Sequence, residues 1–317
     1  MILDLESATA FAPATCANVA VGFDLLGFAV DGIGDQVTVT RTGKPGVEIV
    51  LIENDPGSLI PLDSNQNTAT VGLIQMLKDT RADFGFSVQI KKGIPMSSGM
   101  GGSASSAVAA VVAANSLLPQ PFNNDQLFHY AMMGEAVASG GLHGDNIAPC
   151  LLGGLTLCRS LDPLDVISIP VPKEIYCVLI HPDLQISTKE SRGKLKKEIK
   201  LKDHVLQSSA LGGFLAGCFQ NDLDLIERSF QDIIIEPQRA SQIPGFLEAK
   251  TAAKKSGAIG AAISGSGPSV FAWARSLKDA DIIRNSMLNE FHQKGLKTLS
   301  WISPISTEGA RLLEVRK

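Results

Sequence analysis

Aromatic residues are scarce in this chain of 317 residues, at 5%, with two tryptophans and two tyrosines. Ala, Val, Leu and Ile must therefore do most of the packing. Cysteine is sparse too. The five (Cys16, Cys150, Cys158, Cys177, Cys218) are odd in number and scattered, and no pair has zinc or redox spacing. They read as small buried apolar residues in a reducing compartment. Long apolar runs are missing. The greasiest stretch, from Ala104 to Leu118, is interrupted by Ser105, Ser106 and Asn115 and is too short and polar to span a bilayer. The opening Met-Ile-Leu-Asp-Leu-Glu lacks the basic and apolar regions of a signal peptide. The expectation is a cytoplasmic protein that does not engage a membrane. A basic footprint is also lacking. Net charge is −4, and Glu198 and Asp203 interrupt the densest run, Lys194, Lys196, Lys197, Lys200 and Lys202. That run reads as a solvated helix face, and nucleic acid is not an expected partner.

What is present is an ordinary globular balance, 44% apolar and 19% charged, in a length that suits one large domain or two medium ones. Alternation predicts strands at Gln36–Arg41, Val47–Ile52 and Phe86–Lys91. Helices are predicted over Asn67–Leu77, from Ser103 to Leu117 before Pro119, and from a cap at Asn124 to Gly140-Gly141. Strands follow at Leu155–Cys158 and Ile175–Ile180. The second half reads as helices over 188–197, 203–220, 222–230, 245–256 and 278–293, with a hairpin (Ala261–Ile263, Val270–Ala274) and a last strand at Thr298–Ser303. Strand and helix do not alternate regularly, so the class is α+β. The proline-marked stretch Leu161–Lys173 is the boundary candidate, dividing the chain into 1–165 and 166–317.

The 30 glycines cluster, most tellingly in Lys92-Gly-Ile-Pro-Met-Ser-Ser-Gly-Met-Gly-Gly-Ser-Ala-Ser-Ser106. A strand leads in and an Ala/Val helix leads out. Glycines let several backbone N–H groups converge, and a helix N-terminus adds unsatisfied N–H groups and a positive dipole end. This suits an anion such as phosphate. It is not a Walker loop, because no lysine follows the glycines. Gly99, Gly101 and Ala104 match a dinucleotide fingerprint on paper. However, Pro95 separates strand from glycine, and no acid-ended strand follows at the required distance. By itself the loop fits a tight turn as well as a phosphate cradle.

Two further segments agree with it. The loop resembles that of the GHMP kinases, named for galacto-, homoserine, mevalonate and phosphomevalonate kinases. Pro13-Ala-Thr-Cys-Ala-Asn-Val-Ala-Val-Gly-Phe-Asp24 resembles their first motif in its homoserine-kinase form, and Ala262-Ile-Ser-Gly-Ser-Gly-Pro-Ser269 their third. The order is the family's, and the resemblance covers essentially the whole chain. One departure is Gly102, where the family usually has the first of two serines.

The resemblance implies a GHMP kinase fold. Its N-terminal β-α-β domain is like domain 2 of ribosomal protein S5, and its C-terminal domain is ferredoxin-like. It implies ATP with Mg²⁺, a homodimer, and phosphorylation of L-homoserine on its hydroxyl in threonine biosynthesis. Pro95, Ser97, Ser98, Gly99, Met100, Gly101, Gly102, Ser103, Ala104 and Ser105 would hold the phosphates. Gly265, Ser266 and Gly267 would close over them, and Asn67 and Lys92 would lie near the nucleotide. Ser103 and Glu135 would bind Mg²⁺. Asn146 stands where mevalonate-type members have a catalytic aspartate; an amide is no general base, so it would position the hydroxyl, with Asp145 a minor base candidate and Lys92 a charge for the phosphates. An amino-acid substrate needs an arginine fork and oxygen acceptors. Asn18 and Asp24 match the positions for the amino end and hydroxyl region, and Arg192 and Arg239 those for the carboxylate. His143 reads as a loop or packing histidine. Rivals are a mevalonate-, shikimate- or sugar-type GHMP kinase, and a non-catalytic nucleotide-binding sensor.

Overall fold

A computed structural model describes residues 6–139 and 141–317. Residues 1–5, used above to argue against a signal peptide, and Gly140, part of the expected helix stop, lie outside the described residues. The first half contains β1 (Ser7–Ala17), β2 (Leu26–Thr42), β3 (Gly46–Glu53), α1 (Thr68–Thr80) and β4 (Gly85–Lys91). Then come α2 (Gly102–Ser116), α3 (Asn124–Ser139), α4 (Gly144–Leu152), β5 (Leu155–Leu161) and β6 (Leu164–Ile169). β3 and β4 are parallel and joined through α1, the β-α-β unit expected. The sheet runs β1-β2-β4-β3, with β5 on the far end of β2 and β6 on β5.

α2 is the central helix. Its Ala104, Ala107, Val108 and Val111 share one core with Ala10, Ala12, Val37, Val88 and Ile90 of the sheet, with Val111 against Gly72 of α1 and Ala107 against Gly134 of α3. α1, α3 and α4 cover its other sides. A helix buried all round must be apolar all round, and its alanines let those neighbours come close. The start of α3 differs from expectation. Asn123, not Asn124, is the cap, because the Asn123 side chain accepts from Gln126 N (3.0 Å) and Gln126 Oε1 accepts from Asn123 N (3.0 Å), a reciprocal capping box.

The second half contains β7 (Tyr176–Pro182), α5 (Thr188–Gly193), α6 (Leu201–Gln220), α7 (Leu223–Ser229), α8 (Glu236–Arg239) and α9 (Phe246–Lys255). β8 (Gly260–Ile263), β9 (Val270–Ala274), α10 (Leu277–Gln293), β10 (Thr298–Pro304) and β11 (Arg311–Arg316) follow. An antiparallel sheet of order β10-β7-β9-β8 packs α9 and α10 on one face through Phe246, Ile283, Met287 and Phe291. Its other face carries Phe271 and Trp273. These meet Phe28 of β2 at 5.3 and 5.6 Å between ring centroids, and Trp273 meets Phe214 of α6 at 5.6 Å. These aromatics thus meet where the two sheets join, where their large buried area and edge-to-face contacts stabilise most.

The boundary at 165/166 falls inside β6, which pairs with β5 in the first sheet. The tail returns as β11 to pair antiparallel with β1. β6 occupies the centre of Leu161–Lys173, the proline-marked stretch read as the boundary candidate. Among the described residues, no helix is long and apolar enough to cross a membrane.

Candidate active site

The glycine-rich loop crosses the gap between the two sheets, and neighbours hold its carbonyls. Ile186 N donates to Ser97 O (3.3 Å), Ser269 N to Ser98 O (3.1 Å), Ser264 Oγ to Gly99 O (2.7 Å) and Thr15 N to Met100 O (3.1 Å). With the carbonyls turned to the protein, none of the N–H groups from Gly99 to Ala104 has a partner among the described residues. These N–H groups and the first turn of α2 form an anion cradle. Gly99 and Gly101 have φ of +75° and +67°, and a Cβ on Gly99 would stand 2.5 Å from Ser264 O and 2.6 Å from Gly267 O. Only glycine satisfies both the left-handed backbone and that close approach.

The loop lines a cleft of about 410 Å³ together with both arginines and all three acids named above. Pro95, Ser97, Ser98, Gly99, Gly101, Gly102, Ser103, Gly265 and Ser266 are in its wall. Met100, Ala104, Ser105 and Gly267 are not. Met100 and Ala104 are buried in the two cores, and Ser105 Oγ donates to Ala12 O (2.7 Å) and accepts from Asp35 N (3.0 Å). Gly267 packs under Ile243, towards which a Cβ would come within 2.7 Å.

Lys92 departs most from expectation. Its Nζ forms a fully buried ion pair with Asp35 and also donates to Gly102 O (2.9 Å) and Ser106 Oγ (2.9 Å). All three N–H bonds are engaged, so it has no donor left for a phosphate. Asp35 further accepts from Gly93 N (2.9 Å), Ile94 N (3.1 Å) and Ser106 Oγ (2.7 Å). The pair therefore ties the incoming stem of the loop to the first turn of α2. Asn67 is also a structural residue, as the cap of α1. Its Oδ1 accepts from Ala69 N (2.9 Å) and its Nδ2 donates to Pro61 O (2.7 Å). Both residues border the cleft, but Lys92 has no donor left for it, and Asn67 keeps one N–H of its amide beyond the bond to Pro61.

At the other end the charges converge. Arg192 binds Asp24 through two parallel bonds of 2.8 and 2.7 Å, the fork geometry of a strong pair. Asn18 Oδ1 accepts from Asp24 N (3.1 Å), and its Nδ2 donates to Gly265 O (2.9 Å). Arg239 is 3% exposed and donates to Gly265 O (2.8 Å). It makes no ion pair among the described residues, its Nε has no partner, and burial and Arg192 lower its pKa. Both guanidiniums lie beside the Phe23 ring, at 5.2 and 5.3 Å. His143, expected to be a loop or packing residue, lies in the loop before α4 and in the cleft wall, with Nδ1 3.9 Å from Asp24 Oδ2. The cleft wall also has an apolar part, with Leu59, Ile60, Pro61 and Ile90.

Two acids occupy the middle. Ser103 Oγ donates to Glu135 Oε2 (2.6 Å). Burial raises Glu135 to about 7, against the lowering effect of that bond. Glu135 is thus no solvated helix carboxylate. Asp145, on the first turn of α4, is also raised to about 7, first by burial and then by Asp24 and Glu135, and its Oδ1 has no partner among the described residues. Asn146 Oδ1 accepts from Thr15 Oγ1 (2.7 Å).

Two family models match this chain, "GHMP kinases N terminal domain" over residues 68–154 and "GHMP kinases C terminal" over 214–293. A homoserine kinase of Xylella fastidiosa is 47% identical over 97% of this chain and 94% of its own length. One of Chloroherpeton thalassium is 44% identical over 98% of this chain and 100% of its own. The crystal structure of homoserine kinase from Cytophaga hutchinsonii superposes with a TM-score of 0.94 at 42% identity, covering 97% of this chain and 98% of that one. The chain belongs to the homoserine kinase family of GHMP kinases.

Gly102 remains the departure from the GHMP loop. A Cβ there would lie 3.3 Å from Ile94 Cγ2 and 3.6 Å from Lys92 Nζ. A serine therefore fits after a shift of a few tenths of an ångström. The residues that sequence reasoning missed are Asp35, Thr15 and Phe23. Thr15 and Phe23 lay inside the first motif but carried no charge. Asp35 lay just before a predicted strand, with nothing to link it to Lys92.

Removing one partner of a buried pair leaves the other charge uncompensated, so Lys92→Met should cost about 3–5 kcal/mol of stability. Urea unfolding measures this; unchanged stability with only a raised KM for ATP would return Lys92 to the phosphates. Asp145 gives a pH signature. Its pKa is raised from 3.8 to about 7 in the folded chain, so the folded state binds the extra proton between those values, and stability falls as pH rises through that window. Asp145→Asn should reduce the slope in this part of a pH series of unfolding midpoints, leaving the share due to Glu135, whose pKa is raised to about 7 as well.

Proposed function

We propose that this chain is an ATP-dependent homoserine kinase. It transfers the γ-phosphoryl group of ATP to the side-chain hydroxyl of L-homoserine, giving O-phosphohomoserine, ADP and a proton released to solvent, in threonine biosynthesis. The observation that carries the substrate assignment is Arg239, a buried guanidinium with unengaged donors and no carboxylate partner among the described residues. A buried charge is ordinarily paired. The carboxylate of an amino acid would complete it.

The Asp24–Arg192 pair suits a zwitterion. Its ammonium group exchanges for one partner and its carboxylate for the other, so no net charge is left unpaired. Asn18 holds the Asp24 backbone N–H in place, and Phe23 gives both arginines a flat support. The apolar end at Leu59, Ile60 and Pro61 takes the nucleotide base, and the N–H groups of residues 99–104 take the phosphates. Ser103 and Glu135 are hard oxygen donors within reach of those phosphates, which is what Mg²⁺ requires. Bound there, Mg²⁺ would neutralise charge on the phosphate oxygens. Glu135 would then be held as the carboxylate despite its burial. Asn146 positions the acceptor hydroxyl, and Asp145 is the ionisable group beside it. The further proposals are a cytoplasmic location, supported by five buried thiols, and a homodimer, supported by family resemblance and checked by light scattering.

ADP release with a panel of small alcohols tests the assignment. Homoserine should be turned over, while mevalonate, shikimate or galactose preferred over it would overturn the substrate. Arg239→Ala should weaken homoserine binding by about 2–5 kcal/mol and leave the KM for ATP unchanged; an unaltered KM for homoserine removes Arg239 from the pocket. Glu135→Ala should fold yet lose Mg²⁺-dependent turnover, and near-normal activity would exclude it as a ligand.

A further inference from the structure

Thr15 lies behind the cleft wall, fully buried, at the point where β1 meets the phosphate loop. It makes two contacts in opposite directions. Its backbone N donates to Met100 O (3.1 Å), and its Oγ1 donates to Asn146 Oδ1 (2.7 Å). The loop is pressed against this second bond. A Cβ on Gly101 would stand 2.1 Å from Thr15 Oγ1 and 2.9 Å from Asn146 Oδ1. Gly101 is therefore glycine partly because the threonine–asparagine bond fills the space beside it. Phosphate loop, β1 and the start of α4 share one junction, and Thr15 is at its centre.

A side-chain amide has two ends of opposite character, a carbonyl that accepts and an NH2 that donates. A hydroxyl can donate to the first or accept from the second, and here Thr15 Oγ1 donates to the carbonyl. With Oδ1 bonded to Thr15, Asn146 keeps both N–H donors of Nδ2 and one further lone pair on Oδ1. We infer that Thr15 is a positioning residue that locks Asn146 as a hydrogen-bond donor towards the reacting oxygens and sets its distance from the phosphate loop. This rests on the kinase reading of the site and deepens it. Asn146 then holds an oxygen by donating to it and does not receive the hydroxyl proton. The same bond makes loop position and amide orientation interdependent.

Thr15→Val keeps shape and volume and removes only the hydroxyl. Because the bond acts on orientation rather than on either binding pocket, kcat should fall by at least about tenfold, while the KM values for ATP and homoserine stay within about twofold. Thr15→Ser, which restores the hydroxyl, should recover most of the lost rate. In a double-mutant cycle with Asn146→Ala, the Thr15→Val effect should largely vanish, since the amide it acts on is gone. Thr15→Val at wild-type kcat, a raised KM for ATP with unchanged kcat, or additivity with Asn146→Ala would each overturn the inference. Should Thr15→Val not fold, Thr15→Cys, a poor donor of similar size, carries the same readout. Wild-type chain inert towards homoserine defeats the functional reading, whereas an active wild type with an unaffected Thr15→Val defeats this inference alone.

Discussion

The buried contact between Asp35 and Lys92 fixes the geometry on which the cleft depends. A charge pair removed from water is stabilising only when every remaining donor and acceptor is satisfied. Here the lysine has three partners, and the aspartate gathers two loop N–H groups and a serine hydroxyl besides the lysine. Those partners are the two stems of the glycine-rich loop. Because the two charges cancel, the loop faces the cleft with backbone dipoles rather than a side-chain cation, a pre-organised arrangement that needs little movement when an anion arrives.

Around that fixed loop the second sheet acts as a wall. Phe28, Phe214, Phe230, Phe271 and Trp273 join it to the first sheet, and the 264–269 turn follows the sheet onto the back of the loop. The same half of the chain brings Arg192 and Arg239 into the cleft wall. Phosphoryl transfer is chiefly positioning and charge neutralisation. This architecture supplies both by holding the loop rigidly and by concentrating opposite charges at one end of it.

Much of the secondary structure was legible because it follows local rules. Alternation marked β3 and β4, and α1, α2 and α10 were placed to within a few residues. The misses had local causes as well. Pro149 and the flanking glycines disguised α4, a nine-residue helix. Prolines around 161–173 disguised β6, and nothing in the tail signalled that β11 would pair with β1, since β11 is exposed along its length. Pairings between distant segments leave no local trace.

Residue types and motif order determined the family, the anion-binding loop and the identities of the arginines and acids. This was possible because backbone turns and helix starts depend on neighbours in sequence. Only the tertiary structure decided that Lys92 faces inward to Asp35, that Asn67 caps a helix, that Thr15 holds Asn146, and that Glu135 and Asp145 are buried enough to hold a proton near neutrality. Whether a charged or polar side chain serves the protein or its ligand depends on desolvation and on partners far away in the chain, and both arise only once the chain has folded.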